Sequence, residues 1–361
     1  MTRSTANHEK QTPGRPKCFS PPRWAEPAHK GPKGVLWLAK AIRPASRMAD
    51  DVCRRPGGAL KLRAFAVAAA TLSLAFGCAG SAWAQTKTVT LITPYQQSVT
   101  TNEMLKTLSE LAGKKGWKAN VIDTKGDFGQ MASRMEDAVA AKTDAIVIVS
   151  ADPNQVKPQI AAAAAKGIPV FGCDSGFIPG MVMNATSDNT AMSAAISQYL
   201  FKAIGDKGNL VVFTHRPHPG VLKRSQELDA LLKKSPNIKL LSEQHVQVPG
   251  PIENARKAME SILLANPNKG SITAVWAAWD EPAIGATQAI QAAGRDEIVV
   301  TGIDGTSQAV DLIKKGSPLI ASMQQNFRGM AELVVGQMDA TFSGKKPVAT
   351  EMFAPAILIT K

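Results

Sequence analysis

From Val89 onward, short apolar runs alternate with segments whose apolar positions recur every three or four residues. Residues 89–93 (VTLIT), 117–123, 145–149 (AIVIV) and 169–173 read as strands. Between them, residues 102–115 place Met104, Leu105, Leu108, Leu111 and Ala112 at helical spacing. Residues 127–141 read as a second helix with Asp127 as N-cap, and the Ala-rich 154–166 as a third, ended by Gly167. The alternation then starts again. Helices over 188–204, 221–234, 252–265, 282–293, 307–315 and 327 to about 342 interleave with strands at 210–213, within 238–248, at 274–277, at 298–303 (IVVTGI) and at 319–323. Pro282 stands near the first turn of its helix, where its missing N–H costs nothing.

Strands apolar on both faces, separated by helices, predict parallel sheets covered on both sides. Two successive blocks of four to six such units predict an α/β fold with two doubly wound parallel-sheet lobes. In open sheets of this kind a ligand binds outside the carboxyl ends of the strands. The polar residues to examine are therefore those just after each strand: 96–101, Asp152, Asp174, 215–224, 279–281, Asp304 and 324–326.

Charge sharpens this picture through its distribution. The chain of 361 residues carries a formal +13, which would suggest a nucleic acid or an anionic membrane if it were spread over a folded surface. Residues 1–84 hold 14 Lys/Arg against 4 Asp/Glu, a balance of +10, and residues 85–361 hold 28 against 25, a balance of +3. The basic character belongs to the leader, so no nucleic-acid partner is expected. Within that leader, Arg54, Arg55, Lys61 and Arg63 precede an apolar run over 64–80, and Ala82-Trp83-Ala84 supplies an A-x-A cleavage signal. That order predicts a secretory signal peptide over 48–84, with Gln85 as the first mature residue and the periplasm as destination. A lipoprotein reading would use Cys78, but Phe76 is bulky for a lipobox. Residues 1–47 read as an untranslated or disordered leader. Of four cysteines only Cys173 follows the cleavage site, so neither an internal disulfide nor a Cys-based metal site is expected.

The strand-end residues are rich in carboxylates, amides and hydroxyls, with Arg224 and Trp279 among them. This mixture suits a sugar: each hydroxyl both donates and accepts, so planar Asp, Gln and Arg groups can bind it in pairs, and an aromatic ring can cover a C–H face. Helix capping explains Asp304 equally well. Trp276, on a strand, reads as core, and Trp279, at a strand end beside Asp280 and Glu281, reads as pocket. No G-x-S-x-G, P-loop, HExxH or CxxC occurs, so no catalytic residue, metal or cofactor is expected. His215 and His218 lie three apart, but Pro217 and Pro219 deny them a shared helical face, and ordinary loop histidines are the expectation.

At these residues the chain resembles the type I periplasmic sugar-binding proteins, the group of ribose-binding protein. The resemblance covers 87–350 and rests on AIVIVSAD (145–152), KGIPVFGCD (166–174), Ser187-Asp188-Asn189, Trp279-Asp280-Glu281 with 283–285, GIDG (302–305) and MQQN (323–326). It implies a lobe built from 87–187 with 326–353, a second from 188–325 with 354–361, and a three-crossing hinge that closes on a monosaccharide-like ligand. By this resemblance Asp174 looks like a hydroxyl acceptor of the first lobe, Arg224 and Asp304 like ligands from the second, and Gln325 like a hinge ligand. Gln97, Ser98, Thr100, Thr101, Trp279 and Asp280 complete the candidate site. The chain departs from the family in its first loop, where 96–101 lack the usual aromatics and only Tyr95 stands upstream, and at Trp279, where the family has Asn. These departures leave a polyol or another solute as alternatives. The implied partners are the small-molecule ligand and an inner-membrane ABC permease, with a chemoreceptor as a further candidate, and the implied chain is a monomer. A LacI-like sensor core would carry a basic helix-turn-helix where this chain has an apolar run, and a glycoside-acting enzyme would turn its ligand over.

Overall fold

The computed structural model describes residues 86–361; the signal-peptide expectation and the 1–47 leader lie outside them. The first lobe is built from β1 (Thr88–Thr93), α1 (Val99–Lys114), β2 (Lys118–Asp123), α2 (Phe128–Ala140), β3 (Ala145–Val149), α3 (Lys157–Ala165), β4 (Val170–Cys173) and β5 (Met183–Thr186). The chain then crosses to α4 (Asn189–Ala203), β6 (Gly208–Thr214), α5 (Pro219–Lys234), β7 (Ile238–His245), α6 (Pro251–Ala265), β8 (Ala274–Ala277), α7 (Asp280–Ala292), β9 (Val299–Asp304), α8 (Ser307–Lys314) and β10 (Leu319–Gln324). It returns to the first lobe for α9 (Phe327–Phe342) and β11 (Glu351–Phe353), and crosses a third time to β12 (Ile357–Thr360).

The first sheet has the order β11-β5-β4-β3-β1-β2, and all its pairings are parallel. The second has the order β12-β10-β9-β8-β6-β7 and is parallel except at its edge, where β12 runs antiparallel to β10. Two open sheets with β1 and β6 as equivalent second strands from the edge are the doubly wound lobes that the strand–helix alternation predicted.

Side-chain alternation explains why each sheet needs two helical layers. On β3, Ala145, Val147 and Val149 pack with Met104, Leu108, Met330 and Val334 of α1 and α9, while Ile146 and Ile148 pack with Met131, Met135 and Ile160 of α2 and α3. A strand buried on both faces must be apolar throughout, which is what AIVIV shows. In the second lobe one continuous core joins α4, β6, β8, α7 and β9, with Trp276 wholly buried in it. Among the described residues, no helix is long and apolar enough to cross a membrane.

Helices α6 and α7 approach so closely that glycine is required between them. A Cβ on Gly285 would fall on the carbonyl oxygen of Ile252 in α6, a backbone atom that cannot swing aside. Gly285→Ala is therefore expected to destabilise the second lobe by about 1–3 kcal/mol through overpacking. Urea unfolding should show the midpoint falling; an unchanged midpoint would mean that the two helices separate freely.

Candidate functional site

The loops after β1, β3, β4, β6, β8, β9 and β10 open toward one another, so the carboxyl ends of both sheets face a common cleft. A cavity of about 60 Å³ lies in it, several times the roughly 10–15 Å³ that one water-sized group needs. Its walls bring together eight sequence-predicted residues: Ser98, Thr100, Thr101 and Asp174 from the first lobe, and Arg224, Trp279, Asp304 and Gln325 from the second lobe and its crossing.

Arg224 projects from the first turns of α5 and is only 2% exposed. Its Nε donates to Asn189 Oδ1 at 2.7 Å and its Nη1 to the carbonyl of Ala278 at 2.8 Å, while Nη1 lies 3.9 Å from Asp304 Oδ1. The guanidinium is thus held rigidly, and its Nη2 makes no bond among the described residues. Asp304 ends β9 with φ of 140°, a region that L residues other than glycine seldom occupy and that costs about 1–3 kcal/mol. Gln325 Nε2 donates to Asp304 Oδ1 at 2.8 Å, and Gln325 Oε1 is buried without a partner among the described residues. Burial, reinforced by the nearby Asp280 charge, raises the Asp304 carboxyl well above the ordinary carboxylate range despite the Arg224 guanidinium.

On the opposite wall Asp174 follows β4 with φ of 49°, a left-handed conformation that Asp tolerates. Its Oδ1 accepts from Thr186 Oγ1 at 3.2 Å, and Asn189 Nδ2 donates to that Thr186 oxygen at 3.2 Å. Asn189, whose Oδ1 holds Arg224, therefore couples the Asp174 wall to the Arg224 wall at the first crossing. Thr101 Oγ1 donates to Ser150 Oγ at 3.0 Å beside them.

Ser98 stands at the N-cap of α1, but its hydroxyl does not cap that helix. It donates instead to Glu281 Oε2 of the second lobe at 2.7 Å. Trp279 Nε1 donates to the same oxygen at 3.3 Å. A carboxylate of one lobe thus receives the start of a helix in the other. Burial raises the Glu281 carboxyl above its ordinary value, with the Ser98 and Trp279 bonds opposing the shift.

Two predicted residues do not line the cleft. Gln97 is exposed, because the turn into α1 directs it to the surface. Asp280 is wholly buried, but its carboxylate is used inside the second lobe: Oδ2 accepts from the Thr306 amide at 2.7 Å and Thr306 Oγ1 at 3.0 Å, and Oδ1 from Ser322 Oγ at 2.6 Å. It ties the starts of α7 and α8 to β10. Asp152, another strand-end carboxylate, caps the turn at Asn154.

The cleft also contains Tyr95, Ser150, His215, His218, Val221, Val248 and Glu281, which were not among the sequence-selected site residues. Ser150 and Glu281 directly follow strand ends and were within reach of that rule. The two histidines read from sequence as ordinary loop residues, because Pro217 and Pro219 deny them a shared helical face. His218 packs against the cleft wall and caps α5 through Nδ1, which accepts from the Val221 amide at 3.4 Å. Burial holds its pKa at about 4.

A histidine whose pKa is depressed on folding contributes stability that is present above its unfolded value near 6.5 and is lost as pH falls through the folded value. Relative to a His218→Gln variant, the protein is therefore expected to lose on the order of 3 kcal/mol between pH 7 and pH 4. Denaturant unfolding of both proteins across this range checks it; parallel pH profiles would contradict it.

Two parallel-sheet lobes, joined by three crossings and facing each other across a cavity of buried polar side chains, define a two-lobed α/β solute-binding protein. The family model described as "Periplasmic binding protein domain" matches residues 89–346, and the chain belongs to that family. It is similar to a xylitol-binding protein of Mycolicibacterium smegmatis, at 29% identity over 66% of this chain and 69% of the relative. It is similar also to a D-apiose import binding protein of Paraburkholderia graminis, at 28% identity over 69% of this chain and 79% of the relative. Among solved structures, an ABC transporter solute-binding protein from Agrobacterium vitis with bound allitol superposes with a TM-score of 0.72 at 28% identity, covering 76% of this chain and 95% of that one.

Proposed function

We propose that this protein is the periplasmic solute-binding component of an ABC importer, capturing an uncharged polyhydroxylated solute, a monosaccharide or an acyclic polyol, and releasing it unchanged to a membrane permease. The observation that carries this reading is the convergence of three buried charged side chains on one cavity: Asp174 from the first lobe, Arg224 and Asp304 from the second. Asp174 and Asp304 each keep a carboxylate oxygen for solute hydroxyls, Arg224 offers Nη2, and Gln325 Oε1 accepts. A solute bonded by both walls has higher affinity for the closed arrangement and shifts the population toward it. The Ser98–Glu281 bond closes the mouth in that arrangement.

The cavity also favours neutral solutes. Asp174, Asp304 and Glu281 face a single guanidinium, two of whose nitrogens are already engaged. A sugar phosphate or sugar acid would add negative charge where carboxylates already prevail. The names of the relatives, with xylitol, D-apiose and allitol, support the same solute class. Residues 48–84 are proposed as the cleaved export signal, with the mature chain beginning at Gln85; N-terminal sequencing of the exported protein tests this directly.

A thermal-shift screen against pentoses, hexoses, deoxy sugars, polyols and their phosphates tests the solute class, since a ligand that binds only the folded state raises the apparent stability. At least one neutral pentose, hexose or polyol should raise the melting temperature, and the phosphates should not. A response confined to anionic solutes would overturn this reading.

A further inference from the structure

His215 and His218 stand on the loop between β6 and α5 and both line the cleft, yet the proposed capture of solute leaves them without a role. Their hydrogen bonds give the two rings opposite polarity. His215 Nδ1 lies 3.0 Å from the Val246 carbonyl, which can only accept, so Nδ1 carries the proton and Nε2 presents a lone pair. That Nε2 is buried and has no partner among the described residues. His218 Nδ1 receives the Val221 amide proton, so in the neutral ring the proton resides on Nε2, which makes no bond among the described residues.

Aromatic packing fixes the His215 ring. His245 stacks on it at 4.9 Å between centroids and a tilt of 32°, Trp279 meets it edge-on at 6.4 Å, and Tyr95 of the first lobe meets it edge-on at 6.1 Å. The charged groups around His218 are Asp174, Asp152 and Arg224, and the titratable neighbours of His215 are His245 and His218. Burial lowers the pKa of both His215 and His218, which keeps both rings neutral at pH 7.

We propose that His215 and His218 form a donor–acceptor pair that selects for a free hydroxyl at their end of the solute: His215 Nε2 accepts the hydroxyl proton, and His218 Nε2–H donates to a solute oxygen. The inference rests on the cavity being a polyhydroxyl site. Its chemical consequence is selection by polarity. A methyl, methyl ether or carboxylate at that end brings no proton, so His215 Nε2 stays buried and unpaired, and a carboxylate additionally meets a lone pair. A site built to bind a hydroxyl rejects analogues that lack it far more strongly than an apolar pocket rejects an extra methylene.

The test uses the full chain labelled with ¹⁵N-histidine. At neutral pH, long-range ¹H–¹⁵N spectra should show His215 as the Nδ1–H tautomer and His218 as the Nε2–H tautomer. Xylitol, allitol and D-ribose serve as probes. With whichever binds, the His215 Nε2 resonance should move to lower frequency as it accepts a hydrogen bond. His215→Phe, which keeps a ring in the aromatic cluster, should weaken that probe roughly 10- to 100-fold, and His215→Gln, which retains an acceptor, should weaken it less. Equal tautomers on both rings, an unmoved Nε2 signal on binding, or unimpaired binding by His215→Phe overturns the pair while leaving the capture reading intact. Failure of all three probes to bind contradicts the polyhydroxyl site and the pair with it. The spectra of the unaltered protein decide the matter even if the Phe variant does not fold.

Discussion

Arg224→Ala is expected to abolish solute binding and to cost the protein about 3–5 kcal/mol of stability. The two effects have one cause. The guanidinium satisfies Asn189 Oδ1 at 2.7 Å and the Ala278 carbonyl at 2.8 Å, and it is the cation nearest to buried Asp304 at 3.9 Å. Truncation leaves two buried acceptors unpaired and a carboxylate without its counter-charge, and it opens a void the length of the side chain. Asn189 also bonds Thr186, which positions Asp174, so the loss spreads to the opposite wall. Arg224→Lys retains the charge but not the fork. It should fold and bind roughly 10- to 100-fold more weakly, since an ammonium cannot serve Asn189, Ala278 and a solute in one plane. Calorimetric titration with denaturant unfolding separates these outcomes. An alanine variant that binds as tightly as the parent would remove Arg224 from the site.

Asp304→Asn should do something less intuitive: raise stability at pH 7 while lowering affinity by about two orders of magnitude. Burial and Asp280 raise the Asp304 carboxyl well above its ordinary range. A carboxyl raised on folding contributes stability that is fully present below its unfolded pKa near 4 and is lost as pH rises through the folded value. Above that unfolded value the folded parent bears a cost, as a retained proton or as a charge held in a poorly hydrated site, and the amide bears neither. Asn has nearly the shape of Asp, so it meets the same backbone strain, and it can still accept from Gln325 Nε2 through Oδ1. The variant's advantage should therefore vanish near pH 4. Binding weakens because a carboxylate that accepts from solute hydroxyls becomes an amide with one acceptor and two donors. A variant less stable than the parent at pH 7 would show that the Arg224 attraction outweighs the desolvation cost. The trade of stability for a strained, charged binding group is the usual signature of a functional position.

Legibility in the sequence follows burial. Strands β1, β3 and β9 were readable because burial on both faces demands apolar runs, and the long helices because one face repeats every three or four residues. Strand β5 (MNAT) was not, because its centre is polar: Asn184 is wholly buried and exchanges hydrogen bonds with the Ser175 backbone at 3.2 Å in both directions. Strands β11 and β12 are short, sit at sheet edges and leave Phe353 and Ile357 exposed, so no alternation marks them. At the site, the strand-end rule reached Asp174, Asp304 and Trp279 from pattern alone, and Arg224 as part of a longer loop stretch. It could not separate Asp280 from Glu281: both follow β8, yet one turns into the lobe toward Thr306 and the other crosses the cleft to Ser98. That difference depends on how two lobes face each other, which no local spacing encodes. The histidine polarities lay further still from view, since they follow from a carbonyl 31 residues away at Val246 and an amide at Val221.

The crystal structure of the protein with its strongest-binding solute tests the central claim most directly. The account predicts an intact solute between the lobes, within hydrogen-bonding distance of Asp174 on one side and of Arg224 and Asp304 on the other. A solute seated on one lobe alone, touching neither Arg224 nor Asp304, or found there as a cleaved product, would contradict it.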